Sequence, residues 1–373
     1  ASWTWWLQHT RSSRVFQKQS VRQIVDTVLG QHGALARWRW AAECDAFLGK
    51  RTRGYCVQYR ESDLSFLQRI LAEEGLAWRL YNDDQARCGN GMEIFADSIA
   101  LPEDAASAAV GVRFHRSDAT ESSDTIQTLV RRQKLAGTAI SLLSDDYRQV
   151  SSIAVQLPMD GGGGRSQRES YDAVGAYAFN DGDAAYHYAK AQAQAREAHR
   201  RQWHGSGNVR GFQSGTWFSV HNAAFATAPE LLLVDVEHAG VNNLPTDLRR
   251  ELEDALGAAP PAGANSLCWA QSEKTGYANC FKAAEHALPW RPILEDETGA
   301  RLNPRPTAPG DQTAVVVAAD QSGGEDVHAD ALGRIKVRFH FQAAQDNSTW
   351  LRVAQRYAGP GVGSQFLPRV GQE

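Results

Sequence analysis

The sequence predicts a β-rich α+β protein, in which small barrel-like domains carry inserted helices. Three observations point there. The chain has 373 residues, which at roughly 150 residues per domain suggests two or three domains. Short apolar runs punctuated by turn residues recur from Val110 onward, among them the alternating stretch Arg334–Phe341, the pattern of half-buried strands in small barrels. Strong helical periodicity is confined to a few segments, near 20–30, 62–75 and 183–203.

The elements follow in order. Trp3, Trp5 and Trp6 lie in the opening run Ser2–Leu7, which reads as a buried strand and lacks the basic start and apolar run of a signal peptide. Val21, Ile24, Val25, Val28 and Leu29 recur at helical spacing. Ser20 can cap that helix, and Gly30 or Gly33 can end it. Tyr55–Tyr59 reads as a strand, followed by a helix with Leu64, Leu67, Ile70 and Leu71 on one stripe. Ser62 or Asp63 caps it, and Gly75 suits a left-handed stop. Leu76–Tyr81 is the next strand, ending in a loop around Asp83, Asp84 and Gly89.

Val112–His115, Ile126–Val130 and Ala139–Leu143 read as strands, and Gly161–Gly164 as an exposed loop. Asp183 is the expected cap of an Ala-rich helix running to about Trp203, with Tyr186, Ala189, Ala193 and Ala198 available for its buried face. Gly205–Gly215 reads as turns leading to the strand Trp217–Val220. Leu231–Val236 is continuously apolar except for Asp235, as a central strand would be. Thr246–Leu256 suggests a short helix, Ala258–Gly263 a linker and Tyr277–Ala283 a strand. Five prolines, Pro289, Pro292, Pro304, Pro306 and Pro309, mark an extended connector and the best domain boundary. Beyond it, Ala314–Ala318, Arg334–Phe341 and Trp350–Ala354 read as strands, with turns at Gly333 and Gly359–Gly363. Ile335, Val337, Phe339 and Phe341 share one face of the alternating strand; Arg334, Lys336, Arg338 and His340 share the other.

The chemistry is sparse. Lys and Arg number 39 against 43 Asp and Glu, a net charge of −4, which argues against a polybasic nucleic-acid or membrane-surface protein. Mean hydropathy is −0.45, and no run approaches the roughly 18 apolar residues of a membrane helix. Cys44, Cys56, Cys88, Cys268 and Cys280 show no CxxC spacing, so they read as reduced thiols of a cytoplasmic product. The 11 histidines form no HExxH, and His199 and His204, read on one helix, fall on different sides. The glycine runs 161–164 and 205–211 miss the phosphate-loop and dinucleotide patterns, and no GxSxG occurs. Glu73-Glu74 and Asp145-Asp146 read as solvated faces. The face Arg334, Lys336, Arg338 could meet nucleic acid on a small barrel, but the net charge counts against it. With 11 tryptophans, most in the core, some are candidates for interface anchors.

A family resemblance goes further. Val15-Phe16-Gln17 with Ser20-Val21, the string Tyr55-Cys56-Val57-Gln58-Tyr59-Arg60-Glu61-Ser62-Asp63-Leu64-Ser65-Phe66, and Glu73-Glu74-Gly75-Leu76 resemble the hub of VgrG, the spike protein of type VI secretion systems. The likeness continues through Leu142–Tyr147, Gly207–Gly211 and Asn279–Pro292. Leu332–His340 and Gln365–Glu373 resemble the OB-fold domain that follows the hub in that family. The resemblance implies residues 1–120 as a first hub barrel region lacking its N-terminal part, and 121–288 as a second with the helix 183–203. It implies 289–310 as a proline-rich linker and 311–373 as a partial OB-fold. On this reading the chain is a fragment without the needle, and the segment 241–275 is longer than usual for the family.

The resemblance implies a homotrimer that connects the secretion tube to a membrane-puncturing needle. It also implies a spike-tip protein and effectors as partners, and a target membrane contacted only mechanically. The chain would be made in the bacterial cytoplasm and leave through the type VI apparatus. No catalytic, cofactor-binding or metal-binding residue and no nucleic-acid partner is expected. An effector or hydrolase domain beyond the C-terminus is the alternative. The family-motif residues, read as structural, are Tyr59, Arg60, Glu61, Ser62, Asp63, Gly75, Gly333, Arg334, Val337, Phe339, Trp350, Pro368 and Gly371.

Overall fold

The computed structural model describes residues 2–108, 111–115, 123–135, 137–146, 151–159, 168–221, 229–241, 244–257, 266–296, 298–318, 326–342, 348–359 and 362–373. The expected loop at Gly161–Gly164, the linker 258–263 and Tyr147 lie outside these residues.

The chain opens on α1 (Thr4–His9), a helix where a strand was expected. Trp3 and Leu7 are four apart and both buried, while Trp5 and Trp6 are 48% and 50% exposed. An i, i+4 apolar pair defines one helical face; a strand would have put Trp3 and Trp5 together on one side. Next come β1 (Arg11–Phe16), α2 (Val21–Gly30), β2 (Trp38–Trp40), α3 (Cys44–Leu48), β3 (Cys56–Ser62), α4 (Asp63–Glu74), β4 (Ala77–Asn82) and β5 (Asn90–Phe95). In α2 the expected cap takes the reciprocal form: Ser20 Oγ accepts from the Gln23 N–H, and the Gln23 side chain accepts from the Ser20 N–H. β1 pairs antiparallel with β3, and β2, β5 and β4 form a second small sheet. The two sheets and their helices share one core, which includes Trp3, Leu7, Ile24, Phe66, Ile70 and Ile94.

The next part holds β6 (Val112–Phe114), β7 (Thr125–Gln133), β8 (Ala139–Asp146), β9 (Ser151–Pro158), β10 (Glu169–Ala173), α5 (Gly182–Arg200), β11 (Arg201–Gly207), β12 (Trp217–His221), β13 (Glu230–Gly240), α6 (Thr246–Leu256), α7 (Ser266–Thr275) and β14 (Tyr277–Glu285). Six of these strands close a barrel in the order β11-β14-β13-β12-β6-β7, filled by Trp203, Phe212, Phe218, Leu233 and Phe281 among others. The strand β6 is part of this barrel and pairs parallel with both β7 and β12. Gly205 lies inside β11 rather than in a turn. A Cβ there would sit 2.2 Å from the Phe281 ring, so the barrel interior is filled by the ring where a side chain would be.

The long helix differs from expectation at both ends. Its cap is Asp181, whose side chain accepts from the Ala184 N–H, because the backbone is extended there and not at Asp183. It stops at Arg200, since Arg201–Gly207 pairs with β7 and β14; Trp203 and His204 are therefore strand residues. Ala184, Ala185, Ala189, Ala191, Ala195 and Ala198 form its buried side, whereas Tyr186 is exposed. These small residues let α5 pack closely on the sheet β10-β8-β9.

Among the described residues, 289–313 contain no helix or strand, and the segment is anchored on the earlier parts at Trp290, Arg291, Arg301 and Arg305. The C-terminal strands are β15 (Ala314–Val316), β16 (Arg334–Phe339), β17 (Thr349–Arg352), β18 (Tyr357–Gly359) and β19 (Val362–Ser364). β16 lies between antiparallel β15 and β17, with Ile335 and Val337 buried. It ends at Phe339, two residues earlier than the alternation suggested. The chain end returns along β15: the Gly371 N–H donates to Val316 O at 2.9 Å, and the Val316 N–H to Gln372 O at 2.9 Å.

Candidate functional site

The first cluster of motif residues sits at the β3–α4 junction. Ser12 faces Glu61 and Arg14 faces Gln58, so Tyr59 and Arg60 together oppose Ser13. This is a β-bulge, which bends a strand and re-aims its side chains. Arg60 takes φ 54°, and its N–H donates to Ser13 Oγ at 3.2 Å. Glu61 holds Arg69 by two bonds of 2.9 and 2.8 Å. Ser62 caps α4 by accepting from the Ser65 N–H at 3.2 Å. Asp63 is fully buried; it accepts from Gln58 Nε2 at 2.7 Å, Arg14 at 3.1 Å and His32 Nε2 at 2.8 Å. The junction is therefore a polar knot tying β1, β3 and α4 together.

The far end of α4 is a second knot. Gly75, at φ 79°, ends the helix in the left-handed conformation. A Cβ there would lie 2.8 Å from that of Ala191 in α5. Glu73 and Glu74, expected to be solvated, are paired instead: Arg53 bonds Glu73 at 2.7 Å and Glu74 at 2.8 Å, and the Tyr188 hydroxyl donates to Glu74 at 3.0 Å. Burial pushes the Glu73 carboxyl up, but Arg53, Arg305 and Arg69 outweigh it and hold the group at about 2. Arg291 donates to Gly75 O at 2.6 Å, to Ala96 O at 2.9 Å and to Gln194 at 2.6 Å. Burial pulls its guanidinium down to about 10. Arg53 carries no sequence signal of its own, and Arg291 only its place in the stretch Asn279–Pro292.

The remaining motif residues shape the C-terminal sheet. Gly333, at φ 66°, closes the turn into β16. Arg334 bonds Asp330 at 2.6 Å and lies over the Trp350 ring at 5.9 Å. Partial desolvation pushes the Asp330 carboxyl up, but the Arg334 bonds win and hold it below its ordinary range. Val337 is core. Phe339 stacks on Phe341 at 4.9 Å, and Phe341 meets Tyr59 edge-on at 4.9 Å. The Tyr59 hydroxyl donates to Gln312 at 3.2 Å. Pro368 precedes the return along β15, and Gly371, at φ 87°, makes the turn there. The motif residues thus fall in three places, and Tyr59 links the first to the third.

No group of three or more His, Cys, Asp or Glu poised for a metal occurs among the described residues. A cavity of about 280 Å³ is lined by Arg69, Glu73, Asp172, Arg301 and Arg305 among others. Its charges pair with one another, Arg305 with Glu73 at 2.9 Å and Arg301 with Asp172 at 2.7 Å. No helix among the described residues is long and apolar enough to cross a membrane.

Residues 1–244 match the phage tail baseplate hub (GPD) family, and residues 312–373 match the type VI secretion system/phage-baseplate injector OB domain. The type VI secretion system spike protein VgrG4b of Pseudomonas aeruginosa is 29% identical over 380 residues, which cover 99% of this chain and 42% of that protein. VgrG5 of the same organism is 28% identical over 96% of this chain and 42% of its own length. The actin cross-linking toxin VgrG1 of Vibrio cholerae is 26% identical over 97% of this chain and 30% of its own length. The chain thus spans less than half the length of these relatives. Among solved structures, the E. coli c3393 protein superposes with a TM-score of 0.56 and 16% identity, over 92% of this chain and 68% of that one. It is described as a type VI secretion component similar to the T4 bacteriophage tail proteins gp27 and gp5. With a hub match over most of its length, followed by an injector OB match, the chain belongs to the phage tail baseplate hub family in its VgrG-type form.

Proposed function

We propose that this chain is the hub and OB portion of a trimeric type VI secretion spike, which couples the secretion tube to a membrane-puncturing needle and carries effectors. The observation that carries the reading is the order of the two matches along one chain, hub over 1–244 and injector OB over 312–373. The work is mechanical: the polar knots at both ends of α4 stiffen the hub, and the Tyr59–Phe341 contact braces it against the C-terminal sheet. The motif residues serve that bracing rather than catalysis. Its domain limits fall near 120, 288 and 310, its partners are the tube protein, the spike-tip protein and effectors, and it is exported through the type VI apparatus.

Light scattering on the chain extended to the length of its relatives tests this directly. A particle of three protomers supports the spike; a stable monomer at working concentration overturns it. The likeness to the actin cross-linking toxin, of which the chain covers 30%, favours one further reading, a toxin or hydrolase domain fused beyond the C-terminus. Sequencing the locus downstream of residue 373 decides it.

A further inference from the structure

Two cysteines separated in sequence meet on the outer wall of the barrel. In β14, Phe281 and Ala283 belong to the barrel interior, and Asn279, on the same side, bonds Val209 O at 2.6 Å. Strand alternation therefore turns Ala278 and Cys280 outward, where the register sets them beside Ala239 and Glu237 of β13. The helix α7 lies over this face. Its Cys268 is fully buried in a cluster with Ala239 and Ala278, packed against Trp269 and Cys280. The Cys268 thiol lies 3.6 Å from the carbonyls of both Glu237 and Ala278, and Cys280 packs against the cluster that holds it. Cys280 is only partly buried, Cys268 is fully buried and both thiols are free, so Cys280 is the member of the pair that a reagent reaches first.

We propose that Cys268 and Cys280 are a disulfide-forming pair that staples α7 to the barrel wall when the chain meets a small-molecule disulfide oxidant. Cys280 loses its proton and attacks one sulfur of the oxidant, releasing the first thiolate and leaving a mixed disulfide on Cys280. Cys268 loses its proton and attacks that Cys280 sulfur, releasing the second thiolate. The two protein sulfurs give up two electrons, the oxidant disulfide is reduced to two thiols, and these take up the two protons. Burial pushes the Cys280 thiol up to about 12, so the reaction quickens as pH rises. Before oxidation α7 is held by apolar packing; afterwards a short covalent loop holds it.

The test uses the native chain, purified reduced and incubated with oxidised glutathione at mildly alkaline pH. It is then denatured, alkylated and weighed. The five alkylated thiols should fall to three, with a linked peptide joining residues 268 and 280. In Cys268→Ser the resolving sulfur is gone, so glutathione should remain on Cys280. Retention of all five alkylatable thiols would overturn the proposal. So would a link between other cysteines, or a Cys268→Ser chain whose Cys280 takes up no glutathione.

Discussion

Asp63→Ala removes the carboxylate on which three donors converge. The side chain is fully buried and its partner Arg14 is 10% exposed, so the substitution strands a nearly buried guanidinium. Breaking a buried pair from one side costs about 3–5 kcal/mol. Three bonds to a charged acceptor, at about 1.5–3 kcal/mol each, would sum to more. Water entering the vacated space recovers part of that, so a loss of about 3–4 kcal/mol is expected. Urea unfolding, followed by tryptophan fluorescence of the first part of the chain, reads this as a lower midpoint at unchanged slope. At a slope of about 1–3 kcal/mol per molar urea the shift is on the order of 1–4 M. Arg14→Ala combined with Asp63→Ala should cost clearly less than the two single changes added, because the stranded charge is gone. A loss below about 1 kcal/mol for Asp63→Ala, or strict additivity in the double variant, would refute the idea that this carboxylate ties the junction together.

Four other outcomes follow from the same geometry. Gly75→Ala places a Cβ 2.8 Å from Ala191 at φ 79°, so strain of about 1–2 kcal/mol plus displacement of α5 should lower the melting temperature, whereas Gly89→Ala, which meets no neighbour within 4 Å, should cost less. Gly205→Ala overpacks the barrel against Phe281 at a cost of about 1–3 kcal/mol, and Phe281→Leu in the same chain should restore part of it. Glu73, held at about 2 against an ordinary 4.5, is depressed in the folded state, so its contribution is full above the ordinary value and is lost as pH falls through about 2. That contribution is at most about 3 kcal/mol, and acid titrations of Glu73→Gln should show a flatter acid limb than the parent chain. Tyr59→Ala removes both the Gln312 bond and the Phe341 edge contact, and limited proteolysis near residues 306–311 should then run faster than in the parent; an unchanged rate would show that Tyr59 does not brace the C-terminal sheet.

Local signals were legible where side chain and backbone answer each other over a few residues. Ser20 with Gln23, Ser62 with Ser65, and Gly75 after Glu74 mark the ends of α2 and α4 because caps are short-range devices. The alternation of Ile335 and Val337 located β16 for the same reason. The Trp-rich start misled because bulky aromatics favour strands in isolation, while burial of Trp3 and Leu7 decided for a helix. The strands β1, β2, β5, β9 and β10 and the helices α3 and α7 carry no clear sequence signal: β2, β10 and α3 are short, and in β9 Ile153, Val155 and Leu157 are only half-buried, so little apolar contrast marks them. Glu73 and Glu74 looked solvated because nothing near them in sequence announces Arg53, Arg305 or Tyr188. The site was legible as a motif and not as a geometry, since the bulge at Tyr59 and Arg60 depends on β1.

Arg291 reaches Gly75 and Ala96 across 216 and 195 residues of chain, and β14 closes a barrel whose first strand begins at Val112. Neither contact can form until about four-fifths of this sequence has left the ribosome. Among the described residues, the core around Trp3, Ile24 and Phe66 draws on residues 3–96 and is free to assemble earlier. Synthesis therefore passes through a stage in which a finished first body waits beside unpaired barrel strands. Contacts of such long sequence separation are slow to form, and that interval is when the nascent chain most needs shielding from other copies of itself.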